Sequence, residues 1–120
     1  MVLVDTSVWI AHLREGTMGL EVLLDQGEVL CHPFIIGELA CGNLRKRSEI
    51  LSLLQALPMA TQAEHEEVMQ FIETHHLMGK GLGYIDMHLL ASALIAQVPL
   101  WTLDTRLGVV CSKLELTYSY

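Results

Sequence analysis

Short apolar runs of strand-forming residues alternate with helical patterns along the whole chain. Five runs are strand-like: Val2–Asp5, Glu28–His32, Leu57–Ala60, Pro99–Leu103 and Glu115–Tyr118. Six or seven segments with helical spacing lie between them. Strands that alternate with helices are typical of a parallel sheet covered by helices. We therefore expect an α/β fold with a central, mostly parallel sheet of four or five strands, in a single domain spanning residues 1–120.

Capping residues predict where the helices begin. Ser7 can cap a first helix that runs to about Arg14, and Pro33 suits the first position of a helix that reaches about Gly42. The stretch Thr61-Gln62-Ala63-Glu64 has the spacing of a capping box and predicts the start of a long helix. Further helices are expected at Thr17–Gln26, Ser48–Ala56, Tyr84–Gln97 and Thr105–Lys113.

Composition limits the class of protein. A hydrophobic content of 52% in 120 residues favours an apolar interface or partner groove in addition to a core. The longest apolar tract, residues 89–96, is too short to span a membrane, and no basic region precedes the N-terminal apolar run as in a signal peptide. Three cysteines without CxxC spacing are typical of reduced core thiols. We expect a cytoplasmic protein without membrane contact.

Two acidic residues follow strand-like runs. Asp5 comes at the end of the first strand, and Asp104 follows the strand-like run Pro99–Leu103. In a parallel sheet, functional sites form outside the carboxyl ends of the strands. If these two strands are neighbours, both carboxylates lie at the same edge. Thr102, two residues before Asp104, would then point its hydroxyl to the same side.

Two further acids interrupt apolar helices. Glu38 is the only charge in Phe34-Ile35-Ile36-Gly37-Glu38-Leu39-Ala40, and Asp86 lies in the first turn of the helix that follows the glycine-rich stretch 79–83. Each acid also has a simpler interpretation. Asp5 and Asp104 could be helix caps, Asp86 could be a first-turn acid favoured by the helix dipole, and Glu38 could pair with a lysine or arginine.

Four acids on apolar backgrounds are better explained together than one by one. Like charges at short distance raise one another's pKa unless a cation is present. Carboxylate oxygens are the ligands that Mg²⁺ or Mn²⁺ prefers. A metal held in this way binds phosphate oxygens and activates a water, which indicates phosphodiester or phosphomonoester hydrolysis. The residues expected to hold it are Asp5, Glu38, Asp86 and Asp104.

Four motifs resemble the PIN-domain ribonucleases, specifically the toxins of VapBC toxin–antitoxin pairs. They are MVLVDTSVWI, FIIGELACG, GKGLGYIDMHLLASALI and LWTLDTRL, in family order over essentially the whole chain. The resemblance implies a PIN-like fold in which Asp5, Glu38, Asp86 and Asp104 form the acidic quartet. It assigns supporting hydroxyls beside the metal to Thr6, Ser7 and Thr102.

The same resemblance implies an activity and partners. It implies a Mg²⁺- or Mn²⁺-dependent endoribonuclease that cleaves structured RNA, commonly tRNA or ribosomal RNA. It also implies a homodimer, and inhibition by a VapB-like antitoxin that lies across the active-site groove.

The net charge of −7 argues against RNA binding by bulk charge, so any RNA contact must be local. Arg45 is seven residues after Glu38 and shares its helix face if that helix continues so far. The candidate RNA-binding residues are Arg45, Lys46, Arg47, Lys80 and Arg106, although residues 45–47 could equally form a solvated turn between helices. Arg14 could also contribute, but an ordinary exposed helix residue is the simpler interpretation.

Several other functions fit parts of the pattern. A receiver-type signalling module has a similar length and element order, but here the Leu57–Ala60 strand ends without a phosphoacceptor Asp. A haloacid-type phosphatase needs Asp-x-Asp after the first strand, whereas position 7 is Ser. A PIN-type RNA-processing nuclease that is not a toxin, and a PIN scaffold that only binds, stay open as alternatives.

Overall fold

The computed structural model describes residues 1–119, apart from the side chain of Met18. Within these residues the chain forms three strands and seven helices. The strands are β1 (Val2–Val4), β2 (Val29–Leu30) and β3 (Leu100–Trp101). The helices are α1 (Thr6–Glu15), α2 (Met18–Asp25), α3 (Pro33–Ala40), α4 (Arg47–Gln55), α5 (His65–Thr74), α6 (Tyr84–Ala96) and α7 (Thr105–Lys113).

The sheet is parallel, with strand order β2-β1-β3. Leu3 of β1 lies opposite Leu30 on one side and Leu100 on the other, so the carboxyl ends of β1 and β3 are neighbours as expected. The central strand β1 is completely buried. Because β1 is flanked on both sides, Asp5 leaves the sheet at the middle of its carboxyl edge.

The expectation of four or five strands is wrong for the described residues. The other two predicted strands each contribute one isolated parallel bridge, Cys31 with Met59 and Leu100 with Thr117. Pro58 has no N–H to extend the first of these pairings. Glu115 has a φ of 58°, which is incompatible with an extended strand and prevents the second from lengthening.

Three helix boundaries differ from the expected ones by more than one residue. The N-cap of α1 is Asp5, so Ser7 lies inside the helix and is not its cap. Helix α5 begins at His65, where the Glu64 N–H donates to Glu67 Oε1 at 2.8 Å, so the predicted capping box at Thr61 is wrong. Ala63 is buried in the non-helical segment that precedes α5, which keeps that segment on the core. Helix α3 ends at Ala40 instead of about Gly42.

The core surrounds β1 and includes the middle of α6. Residues 87–93 of α6 are all buried, including the polar residues His88 and Ser92. Cys31 and Cys111 are buried free thiols, and burial raises the pKa of each to about 11, but Cys41 is exposed and the expectation of a core thiol is wrong there. Among the described residues, every helix is too short or too polar to cross a membrane.

His32 is a fully buried polar residue at the start of α3. Its Nδ1 accepts a hydrogen bond from the Phe34 N–H at 3.0 Å, so the neutral ring has its proton on Nε2. Nε2 is buried and has no hydrogen-bond partner in the described part of the chain. Burial, followed by the nearby charge of His88, lowers the pKa of His32 to about 4. Protonation of this ring therefore opposes folding.

Mild acid is expected to destabilise the protein through His32. Below pH 6.5 the His32 ring of the unfolded chain binds a proton, whereas the ring of the folded protein binds it only near pH 4. The free energy of unfolding therefore falls as the pH drops through this window. The loss between pH 7 and pH 5 is about 2 kcal/mol, from the pKa difference between the two states. The measurement is urea unfolding of the wild type and His32→Asn, since asparagine also caps a helix but does not titrate. Equal pH dependence in the two proteins would contradict this assignment.

Candidate active site at the carboxyl edge of the sheet

Asp5 is the buried carboxylate of the site, only 5% exposed at the end of β1. Its Oδ2 accepts hydrogen bonds from the hydroxyls of Ser7 and Thr102, both at 2.7 Å. Although Asp5 occupies the N-cap position of α1, its side chain makes no capping hydrogen bond. The interpretation of Asp5 as a side-chain helix cap is therefore wrong. The two hydroxyl groups both donate to Oδ2 and so fix the orientation of the carboxylate.

The two hydroxyls connect β1 to the segment after β3. The Leu103 N–H donates to Ser7 Oγ and the Asp104 N–H donates to Thr102 Oγ1, both at 3.0 Å. Each hydroxyl therefore accepts from the backbone and donates to Asp5. Such a network holds the carboxylate and the following loop in one arrangement.

Glu38 reaches the site from α3, which packs against α1. Its Oε1 accepts a hydrogen bond from Thr6 Oγ1 at 2.7 Å. The alternative that Glu38 pairs with a lysine or arginine is not observed among the described residues, where the ion pair found is that between the N-terminal amine and Glu28. Glu38 is exposed, and its hydrogen bond from Thr6 holds it beside the Asp5 segment.

Asp86 lies in the first turn of α6, where its Oδ2 accepts a hydrogen bond from the Gly83 N–H at 3.0 Å. Burial raises the pKa of Asp86, the Gly83 hydrogen bond opposes this, and the negative charges of Asp5 and Asp104 raise it further. Because the charges of Asp5 and Asp104 both act on Asp86, these three carboxylates lie near one another. A cation beside Asp86 would relieve the repulsion.

Asp104 is the N-cap of α7, and its Oδ1 accepts a hydrogen bond from the Leu107 N–H at 2.9 Å. The capping interpretation is correct for this residue. It uses one carboxylate oxygen only. The second oxygen, Oδ2, is left for another partner.

The four carboxylates share one arrangement: one oxygen accepts positioning hydrogen bonds, and the other accepts none among the described residues. The unused atoms are Asp5 Oδ1, Glu38 Oε2, Asp86 Oδ1 and Asp104 Oδ2. Free carboxylate oxygens on oriented side chains fit a hard divalent cation. Within residues 1–119, however, no three acidic, histidine or cysteine side chains are close enough to form a complete metal site. Repulsion between like charges favours this separation.

The basic residues predicted to bind RNA have different environments. Arg47 donates to the carbonyls of Ala40 and Gly42 at 2.6 and 3.1 Å, and so caps α3. Because α3 ends at Ala40, Arg45 does not share a helix face with Glu38. Arg45 instead lines a groove that also contains Glu38. Lys46, in a left-handed conformation, and Lys80 are exposed.

Arg106 lies across Gly81 in the loop that precedes α6. A Cβ atom at Gly81 would be 2.9 Å from Arg106 Cδ and 3.0 Å from Nη1, so the arginine side chain occupies the space above the glycine. The sequence indicated only that Arg106 could reach the site. The Gly81 contact depends on the fold of the loop, for which the sequence pattern gave no signal.

The fold and these residues define a class of protein. The chain belongs to the PIN domain family, which it matches over residues 2–113. It is 44% identical over 114 residues to Ribonuclease VapC32 of Mycobacterium tuberculosis, covering 94% of this chain and 92% of that protein. The protein of the same name from a second M. tuberculosis strain is equally similar. The resemblance seen in the four motifs is confirmed.

Proposed function

We propose that the chain is a Mg²⁺- or Mn²⁺-dependent endoribonuclease that hydrolyses phosphodiester bonds in structured RNA, either tRNA or ribosomal RNA. The proposed ligands are Asp5, Glu38, Asp86 and Asp104. The observation that supports this most strongly is that each of the four carboxylates is oriented through one oxygen and leaves the other unpaired among the described residues. The 44% identical M. tuberculosis relative is a protein named as a ribonuclease.

The chemistry follows from the oxygen ligands. A divalent ion supplies Lewis acidity, which polarises phosphate oxygens and lowers the pKa of a water. Ser7 and Thr102 donate to Asp5 Oδ2, which leaves Oδ1 as the oxygen of Asp5 that would hold the ion. Thr6 does the same for Glu38 through Oε1. These hydroxyls are positioning groups, and they reduce the reorganisation needed when substrate binds.

A direct assay tests this function. The purified chain, separated from any antitoxin, is incubated with total cellular RNA and Mg²⁺ or Mn²⁺, with and without chelator. We expect cleavage of a specific RNA in the presence of the ion, and none with chelator. Intact RNA under all ionic conditions would remove the basis of the proposal.

We further propose three partners for this chain: structured RNA, a VapB-like antitoxin and a second copy of itself. The net charge of −7 and the acidic site suit a cationic antitoxin segment. Exposed apolar side chains of α4 and α7, such as Leu53 and Val109, are available for a protein interface. Sedimentation of the purified chain, alone and after co-expression with its antitoxin, measures both assemblies.

Gly81→Ala is expected to lower RNA cleavage about tenfold by displacing Arg106. The added Cβ would clash with the arginine side chain at 2.9 Å, and the φ of +78° is unfavourable for alanine. If Arg106 contacts a substrate phosphate, its displacement removes a charge-assisted hydrogen bond. The measurement is the cleavage rate of the variant relative to the wild type.

Gly79→Ala is the matched control for backbone strain. Gly79 has a similar φ of +71°, but nothing lies within 4 Å of an added Cβ. It is expected to reduce stability to a similar degree without the loss of cleavage. Equal cleavage rates in the two variants would show that Arg106 does not act in cleavage. The same conclusion would follow if Gly81→Ala lowered cleavage equally in an Arg106→Ala background.

A further inference from the structure

A groove of about 410 Å³ lies between α1 and the α3–α4 connection. Its apolar lining consists of Ile10, Leu13, Leu39 and Leu44, with Ile10 40% exposed. A volume of this size is in the range of small-molecule sites, about 300 to 1,000 Å³. The groove is therefore large enough for one nucleotide.

The polar residues of the groove are complementary to a nucleotide. Arg14 and Arg45 both line it, and neither forms an ion pair within residues 1–119. Arg47, by contrast, has its guanidinium occupied by the carbonyls of Ala40 and Gly42. Two guanidinium groups without ion pairs, in the same lining as apolar side chains, suit a phosphate and the face of a base.

The groove is connected to the proposed active site through Glu38. Glu38 lines the groove, and its Oε1 accepts the hydrogen bond from Thr6, the residue next to Asp5. A strand whose phosphate lies at the carboxylates would therefore place a neighbouring nucleotide in the groove. Asn43, exposed in the lining, has amide groups that can both donate to and accept from a base edge.

We propose that this groove is the subsite for one unpaired ribonucleotide next to the cleaved bond. The base packs on the apolar lining and contacts Asn43, and the phosphate binds Arg14 and Arg45. The inference rests on the proposed ribonuclease function, since it names the part of the substrate that the groove binds. It goes further in requiring that the base beside the cleaved bond be single-stranded and unstacked.

Binding of mononucleotides tests the groove without requiring catalysis. The ¹⁵N-labelled chain is titrated with each of the four ribonucleoside 5′-monophosphates in the absence of divalent ions, and with inorganic phosphate and ribose 5-phosphate as controls. We expect saturable shifts of the Gly42 and Asn43 amides with at least one nucleotide and smaller shifts with the two controls. Absence of saturable shifts at millimolar concentrations, or equal shifts with inorganic phosphate, would overturn the subsite.

A variant extends the test to RNA. Asn43→Ala is expected to weaken nucleotide binding about tenfold, the scale of one lost base contact. Gln62→Ala is the matched control, because Gln62 is also an exposed amide outside the helices and does not line the groove. In cleavage assays, an abasic residue beside the scissile bond should slow the wild type more than it slows Asn43→Ala. Equal slowing of both proteins would contradict the base contact.

The outcomes separate this inference from the proposed function. Nucleotide binding at Asn43 with no RNA cleavage by the wild type would support the groove and contradict the ribonuclease. Cleavage without nucleotide binding would support the ribonuclease and overturn the groove. If Asn43→Ala instead loses only antitoxin binding, the groove belongs to the protein partner and the nucleotide assignment is wrong.

Discussion

Asp5→Asn is expected to abolish RNA cleavage, by at least about a hundredfold, while the protein stays folded. The substitution removes the charge of the buried carboxylate that the four-acid site is proposed to present to the metal. Changes in groups that only orient ligands already cost about 10- to 100-fold, so loss of a ligand charge costs at least as much. The measurement is the cleavage rate in saturating Mg²⁺ or Mn²⁺.

The fold should tolerate Asp5→Asn because its hydrogen bonds can persist. The asparagine oxygen can accept from Ser7 and Thr102 as Asp5 Oδ2 does at 2.7 Å. Removal of one negative charge also relieves the repulsion that raises the pKa of Asp86. Asp25→Asn, in an exposed residue at the end of α2, is the control for a lost carboxylate elsewhere. Cleavage within a few-fold of wild type, or an unfolded variant, would contradict this account.

Asp86→Asn is expected to remove stabilisation by the metal without lowering stability in its absence. The Gly83 N–H donates a hydrogen bond to Asp86, and it can donate to an asparagine oxygen at this position as well. Without metal, the substitution removes the repulsion from Asp5 and Asp104, so the free energy of unfolding should be unchanged or higher. In the wild type, an ion at 100 times its Kd adds about 2.7 kcal/mol, and this increment should be largely absent in the variant.

Thermal or urea unfolding with and without Mn²⁺ measures both effects in one experiment. The comparison depends on the difference between the two conditions, so it separates metal binding from a general effect on folding. Asp25→Asn again supplies the control, and it should keep the full metal increment. Equal stabilisation of Asp86→Asn and wild type by Mn²⁺ would show that Asp86 is not a ligand.

The alternation of strands and helices predicted the parallel sheet because each element has its own apolar period. The neighbouring positions of β1 and β3 could be expected only conditionally, since sequence does not state which strands pair. The number of strands could not be predicted. Pro58 and the positive φ of Glu115 limit the outer pairings to one bridge each, and local propensity does not reveal how far a ladder extends.

The four acids of the candidate site could be singled out from the sequence because a charge on an apolar segment is costly. Their individual contacts could not be predicted. The side chain of Asp104 caps α7, whereas that of Asp5, at the corresponding position of α1, makes no capping hydrogen bond. Asp5 instead accepts hydrogen bonds from Ser7 and Thr102, and the sequence did not indicate this difference. The arginines were the hardest to assign. Arg47 donates to backbone carbonyls and Arg106 lies over Gly81, and both contacts depend on where α3 and the glycine loop end.

Mapping of RNA 5′ ends after expression of the wild type and Asp5→Asn tests the central claim most directly. The claim is that four carboxylates form the catalytic site of a metal-dependent ribonuclease. It predicts new 5′ ends at one or a few positions in a tRNA or ribosomal RNA in wild-type cells, and their absence with Asp5→Asn at equal protein levels. Identical 5′ ends with both proteins, or no new ends with the wild type, would contradict it.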